Sequence, residues 1–450
     1  MCAMKTIFIT SFHAHVSRNI LATDFLKIIK DIKDLRAVIL VPKYKIDYFR
    51  KNFGASNILI DGTNLYQSSR HKTGLFFKRL SMMLLDTDTK RYKYRYKVYR
   101  DRKRIYFFGA MAVGFFGKSM LVKRFIRFLD FKLSPRGLFN DLINKYNPNL
   151  ILATDIQNEN DVTLMHDAKH NKIPILGMVR SWDNPTQYAI RVFPDKLLVG
   201  SRAIAESVVE FQGYPSKKII TVGQLHYDKY LKGPTKNRQE FCKEFGLNPS
   251  KRFILFAPLG DKFIENNDLD QYVMELLGKA GYQILVRFPP DEKVSVIGFK
   301  KPGNMIFHNP GVVFDSKEFN DREISDEDDS SLINSIYHSD LVITGPTSIL
   351  LDSSFFDKPV IAVNMAPTER NFFDKVYCYK FSHIQKVFDI GKIKYVETEE
   401  DLHQSIMNFF SNPNFNKEGR KKIRDFWFSH TDGFSSNRLV SEIEKMLEAK

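Results

Sequence analysis

Short unbroken runs of apolar residues alternate along the chain with longer stretches in which apolar positions return at helical spacing. That alternation predicts βα units and a parallel sheet, because strands covered by helices on both faces read as continuous hydrophobic runs. In the first half the runs predict strands at Thr6 to Thr10, Ala37 to Val41, Asn57 to Ile60, Leu150 to Thr154, Ile173 to Val179, Lys196 to Gly200 and Ile219 to Val222. A polar segment, Lys229 to Arg238, carries Gly233 and Pro234 and reads as a linker. A second series follows at Phe253 to Ala257, Gln283 to Arg287, Met305 to His308, Leu341 to Thr344 and Pro359 to Val363. The predicted architecture is α/β, two Rossmann-like doubly wound domains facing a central cleft, with ligands at the carboxyl ends of the strands.

The chain has 450 residues, more than one hydrophobic core usually serves. We expect an N-terminal domain over 1–228, the linker 229–238, a C-terminal domain over 239–416, and helices over 417–450 that pack back toward the N-terminal domain. Three cysteines, Cys2, Cys242 and Cys378, lie far apart and form no metal or redox spacing, as in a reduced cytosolic protein. Met1 to Met4 lead directly into Lys5 and an apolar strand, a start that does not read as a signal peptide.

Charge changes this picture in one place. The window Arg70 to Arg136 holds 9 Lys and 10 Arg against 4 Asp, so it carries +15 of the formal +16. It forms an insertion at about 70–136, between the third and fourth strands. Tyrosines interleave its cations, and Ile105 to Gly117, too short to span a bilayer, is strongly apolar. One reading lays this segment on an anionic membrane surface, with Arg91, Lys93, Arg95, Lys97, Arg100, Arg102, Lys103 and Arg104 as its contacts. A buried helix with a basic rim is the second reading. Nucleic acid is not an expected partner, since no recognisable module accompanies the charge. The acidic run Ser325 to Asp329 reads as a helix start rather than a metal cluster, and Asp86-Thr87-Asp88 reads as a helix cap.

Asp340 to Ile361, DLVITGPTSILLDSSFFDKPVI, predicts a strand running through Gly345-Pro346 into a helix opened by Thr347 and Ser348. Unpaired N–H groups and two short hydroxyls at a helix start suit phosphates, though ordinary N-capping has the same signature. With PDKLLVGSRAIAESVVEFQGYPSKKIITVGQLHYDKY (Pro194 to Tyr230), FILFAPLGD (Phe253 to Asp261), ILVRFPPDE (Ile284 to Glu292) and DGFSSNRLVSEI (Asp432 to Ile443), this segment resembles the GT-B class of nucleotide-sugar glycosyltransferases. Its C-terminal half is similar to the CDP-glycerol glycerophosphotransferase family and related surface-polysaccharide transferases. The resemblance implies donor-phosphate contacts at Thr347 and Ser348, with Gly345, Pro346 and Gly260 in the adjoining loops, and a cation for the diphosphate at Arg287. Phe288 and Pro289 stand where the family has His-Pro. Where polyol-phosphate transferases of the family carry Trp-His-Gly, this chain has Arg180-Ser181-Trp182-Asp183-Asn184, with Asp in place of His.

An inverting sugar transfer needs one base at the acceptor hydroxyl and dipoles or cations at the departing diphosphate. Asp183, just past a predicted strand, is the first candidate; the alternative is an Asx turn before Pro185. His13 and His15, past the first strand, are candidates for base or acceptor binding, or plain surface histidines. Arg18, Trp182 and Asn184 are candidate acceptor contacts. The expected function is a metal-independent glycosyltransferase without cofactor, moving a sugar from a nucleotide-activated donor to a cell-surface glycan or lipid-linked acceptor. Such an enzyme is expected in the cytoplasm, peripheral on the inner face of the membrane. A CDP-polyol phosphotransferase, a non-hydrolysing nucleotide-sugar epimerase and a non-catalytic binding protein are the alternatives.

Overall fold

The computed structural model describes residues 4–65, 71–102, 104–264, 267–290, 292–314, 322–370 and 376–449. The chain divides into two compact units, Met1–Leu231 with Phe428–Lys450, and Lys232–Trp427.

The first unit is built on seven strands: β1 Lys5–Thr10, β2 Leu35–Pro42, β3 Ile58–Thr63, β4 Leu150–Ala153, β5 Ile175–Met178, β6 Lys196–Val199 and β7 Ile219–Thr221. Their order is β3-β2-β1-β4-β5-β6-β7, and every pairing is parallel. Helices cover both faces, so β1, β2 and β4 to β6 are almost wholly buried, which is why they appear in the sequence as unbroken apolar runs. The core of this unit joins Ile7, Ile9, Phe25 and Ile39 to Leu439, Val440 and Ile443 of the helix Ser435–Glu448. That C-terminal helix is tied down by polar contacts as well: Lys5 Nζ donates to Leu447 O at 3.1 Å, and the Asp228 carboxylate accepts from the Ser435 amide and hydroxyl.

The second unit has β8 Phe253–Ala257, β9 Gln283–Arg287, β10 Met305–His308, β11 Val312–Val313, β12 Arg322–Glu323, β13 Leu341–Thr344, β14 Val360–Val363 and β15 Tyr395–Val396. Six of them form a parallel sheet in the order β10-β9-β8-β13-β14-β15, and β11 and β12 pair as an antiparallel ribbon. Its core is separate, made of Phe241, Phe253, Leu285, Ile336, Val342, Leu350 and Val360. The helix Arg238–Phe245 starts at a capping box between Asn237 and Glu240 and ends at Gly246, whose φ of 68° suits a residue without Cβ. The acidic run opens the helix Asp326–His338, where Ser325 and Asp328 form a second capping box against the helix dipole.

Between β3 and β4 lies the basic insertion, with helices at Lys72–Ser81, Asp88–Asp101, Arg104–Phe116 and Met120–Leu133. Thr87 caps the second of these through the Lys90 amide. Arg95, Lys97 and Arg102 are exposed, as are Arg91 and Arg100, which pair with Asp86 and Asp101. The basic stretch is not one outward face: Lys93 is half-buried and donates to Gln187 Oε1 at 2.5 Å, and Lys90 is buried over the Tyr188 ring. Tyr92, Tyr94 and Tyr96 fill the inner side of the same helix. Lys103 and the Arg104 side chain lie outside what the structure describes.

Candidate functional site

In the first sheet the strand order reverses between β1 and β4, and the carboxyl end of such a switch point is the usual ligand position in parallel sheets. The loop after β1 carries His13 and His15, with ring centroids 5.0 Å apart. His13 stands at the N-cap of a single helical turn, Ala14–Val16, and its Nδ1 accepts from the His15 amide at 3.2 Å. Arg180, just past β5, reaches across: its Nε donates to Asp155 Oδ2 at 2.7 Å, and its Nη1 lies 3.4 Å from His15 Nδ1. Arginine can only donate, so this contact fixes His15 Nδ1 as an acceptor. Both imidazoles, when neutral, therefore carry their proton on Nε2.

Asp155 follows β4 and is buried with Asp161 behind it. Asp161 Oδ1 accepts from Thr10 Oγ1 at 2.5 Å and from the Asp155 amide at 3.2 Å. Burial, and then the nearby charge of Asp155, push the Asp161 carboxyl well above the ordinary range despite the Thr10 hydrogen bond. Its Oδ2 lacks a partner among the described residues. Arg180 is thus the charge that balances Asp155.

Asp183 lies in the turn after Arg180, half-buried, immediately before the short helix Asn184–Gln187. Its carboxylate makes no capping hydrogen bond; the turn is closed by its carbonyl, which accepts from the Thr186 amide and hydroxyl. The Asx-turn alternative is therefore not what the backbone adopts. Trp182 is half-buried in the same turn, and Asn184 is buried with its Oδ1 unpartnered among the described residues. Arg18 donates from Nη2 to the Tyr230 hydroxyl at 3.2 Å.

At the carboxyl edge of the second sheet the residues are differently engaged. Thr344, ending β13, donates to Ala257 O and shares a hydrogen bond with the Thr347 hydroxyl at 3.1 Å. The helix proper is Ile349–Phe355, with Ser348 at its N-cap position. Thr347 Oγ1 accepts from the Ile349 amide and its own amide donates to Gly345 O, so this residue closes the loop on itself. Ser348 is exposed, and among the described residues neither its amide nor its hydroxyl makes a hydrogen bond. Of the two residues, Thr347 is engaged within its own loop and Ser348 is not. A Cβ on Gly345 would come within 2.8 Å of Leu259 Cδ1, so this glycine accommodates the neighbouring loop.

Gly260 has φ 90°, a conformation open to glycine, and its amide and that of Leu259 both donate to the buried Asp270 carboxylate at 2.9 Å. Its N–H is committed internally rather than to an anion. Arg287 is buried too, with Nη1 2.8 Å from His308 Nδ1 and 3.2 Å from Ser331 Oγ, and Nη2 2.7 Å from Asp328 O. Burial, and then the Arg287 charge, lower the His308 pKa to about 4. Arg287 thus anchors the start of the helix Asp326–His338 to β9 and β10. Beside β13, Asn364 and Arg370 of the loop after β14 and Glu397, which follows β15, line a cavity of about 220 Å³. None of these three was marked by the sequence, although Asn364 directly follows an apolar run as His13 and Asp183 nearly do.

A pair of separate parallel sheets, each with its chemistry on the carboxyl edge, defines the class of GT-B glycosyltransferases and nucleotide-sugar epimerases. Three solved structures share that fold: a putative UDP-N-acetylglucosamine 2-epimerase from Listeria monocytogenes (TM-score 0.56, 12% identity, covering 100% of this chain and 98% of that one), a UDP-GlcNAc 2-epimerase from Neisseria meningitidis bound to UDP-GlcNAc (0.54, 12%, 98% and 100%), and a glycosyltransferase from Rickettsia africae (0.51, 13%, 99% and 99%). Residues 168–445 match the family described as CDP-Glycerol:Poly(glycerophosphate) glycerophosphotransferase, and the chain belongs to that family. No curated protein sequence matches the chain. It is an enzyme of the glycosyltransferase and phosphotransferase superfamily.

Proposed function

We propose that the protein transfers a sugar from a nucleotide-activated donor to a hydroxyl of a cell-surface glycan or lipid-linked acceptor at the inner face of the membrane, by inversion and without an essential metal. Asp183 is the base in this reading. The observation that carries it is the occupation of both Nδ1 atoms at the first sheet edge, by the His15 amide and by Arg180. A base needs a free lone pair, and neutral His13 and His15 present N–H groups instead. They act here as donors to an oxyanion, while the Asp183 carboxylate, uninvolved in capping, takes the acceptor proton. The donor's phosphates meet the amide and hydroxyl of Ser348, and the cavity lined by Asn364, Arg370 and Glu397 takes another part of the donor.

A second reading, transfer of a polyol phosphate from a CDP-linked donor, is favoured by the family match alone. Melting the protein with a panel of nucleotide sugars and CDP-glycerol separates the two. A bound donor at a hundredfold excess over its Kd stabilises by about 2.7 kcal/mol. Stabilisation by a nucleotide sugar, followed by sugar transfer, is the expected outcome. Stabilisation by CDP-glycerol alone replaces the first reading with the second.

A further inference from the structure

The helix Met120–Leu133 is inside out. Lys123, Arg127 and Asp130, spaced i, i+4 and i+7, form its inner stripe, and Lys123 and Asp130 are each only 2% exposed. Lys123 Nζ donates to Phe211 O at 2.7 Å, and Arg127 donates to Ile190 O and Gln212 O at 2.8 and 2.9 Å. Asp130 accepts a bidentate pair from Arg191 at 2.8 and 2.9 Å. The opposite stripe, at the same spacing, is Leu121, Phe125 and Phe128, which are 77%, 59% and 55% exposed. A surface helix in water has the reverse arrangement.

The preceding helix continues that outer face. From Ile105 to Phe116 it has no charged residue, and Ile105, Phe107, Phe108, Met111, Phe115 and Phe116 are all exposed. The two helices meet at 113°, and among the described residues no single helix is long and apolar enough to cross a membrane. An apolar surface of this extent marks a contact site. Charge identifies its occupant. Lys118, Arg124 and Lys132 flank the outer stripes, and a groove of about 800 Å³ is lined by Phe128, Phe131 and Phe193 together with the cations Arg124 and Lys169. Aromatic side chains and cations lining one groove complement acyl chains and phosphate headgroups respectively.

We propose that helices Arg104–Phe116 and Met120–Leu133 sink their outer faces into the acyl region of one leaflet of an anionic phospholipid bilayer, with the cations of the groove holding lipid phosphates. This goes beyond electrostatic contact through the Asp88–Asp101 helix, and it stands whichever group the enzyme transfers. The inward lysine, arginine and aspartate hold the helix to the protein by hydrogen bonds and an ion pair, so its apolar side faces hydrocarbon.

The test uses the full-length protein and phosphatidylglycerol/phosphatidylcholine vesicles, without nucleotide. In about 1 M salt, where surface charges are screened within about 3 Å, the protein should still sediment with the vesicles. A Phe125→Trp variant should gain fluorescence that brominated acyl chains quench, unlike that of Trp182 and Trp427. Phe125→Glu with Phe128→Glu should reduce sedimentation about tenfold or more, while the melting temperature holds. Complete release by salt without acyl-chain quenching overturns the proposal in favour of surface electrostatics. Indifference to vesicles, combined with self-association that the Glu pair abolishes, overturns it in favour of a second copy of the chain. Neither readout involves transfer, so failure here is separable from failure of the transferase reading.

Discussion

The carboxyl edge of the first sheet gathers titratable groups, His13, His15, Asp155, Asp161, Arg180 and Asp183, from loops after three adjacent strands and the helix behind them. On the edge of the second sheet Arg287 is turned inward onto a helix start and Asp270 onto two backbone amides, while Ser348 is exposed. In the proposed reading the first edge moves protons and the second holds a ligand without changing charge. The difference teaches that residues of one type at matching positions are differently engaged: Arg180 sits beside a candidate reactive group, whereas Arg287 ties a helix start to β9 and β10.

Breaking the comparison at its strongest point means Asp183→Asn. Loss of a general base lowers kcat by about 10²- to 10⁴-fold, while the donor-induced melting shift should be unchanged. Retained turnover would return the base role to a histidine. Next in size, Arg287→Met removes hydrogen bonds to His308, Ser331 and Asp328 and leaves buried acceptors unpaired, which costs about 3 kcal/mol of stability. A lowered melting temperature with unaltered donor Kd is expected; a large Kd change at unchanged stability would make Arg287 a ligand contact after all. Ser348→Ala should weaken donor binding about tenfold, the loss of one hydrogen bond to a charged group. Thr347→Val, by contrast, should cost about 1 kcal/mol of stability through the lost cap and little affinity. Isothermal titration paired with thermal melts distinguishes the two.

The smallest effect concerns pH. His308 is held near 4 in the folded protein, below its ordinary 6.5, so between these values the unfolded chain binds more protons. Its contribution is complete above about pH 6.5 and is lost as the pH falls through 4. His308→Gln should flatten that part of the stability profile measured by denaturant titration. An unchanged slope would show that the Arg287 contact does not keep the ring neutral.

Twelve parallel strands were legible as apolar runs: nine are almost wholly buried, and β3, β7 and β10, at sheet edges, are partly buried yet still apolar enough to read. β15 was not, since two residues make no periodicity, and neither was the ribbon of β11 and β12. The positions of His13 and Asp183, shortly past a strand end, were legible. The Arg180 bridge from Asp155 to His15 was not, because it depends on β1, β4 and β5 lying side by side, an order that chain position does not encode.

The amino-acid pattern by itself determined the class of architecture, the position of the basic insertion and the stretches that place the chain in its family, because burial and turn chemistry act over a few neighbouring residues. Tertiary structure alone decided which charges are working surface and which are internal ties. Lys123, Arg127 and Asp130 count in the composition as charged residues like any others, yet they face inward while Leu121, Phe125 and Phe128 face out. A side chain's direction is set by the elements packed against it, and the carbonyls of Ile190, Phe211 and Gln212 come from segments far along the chain.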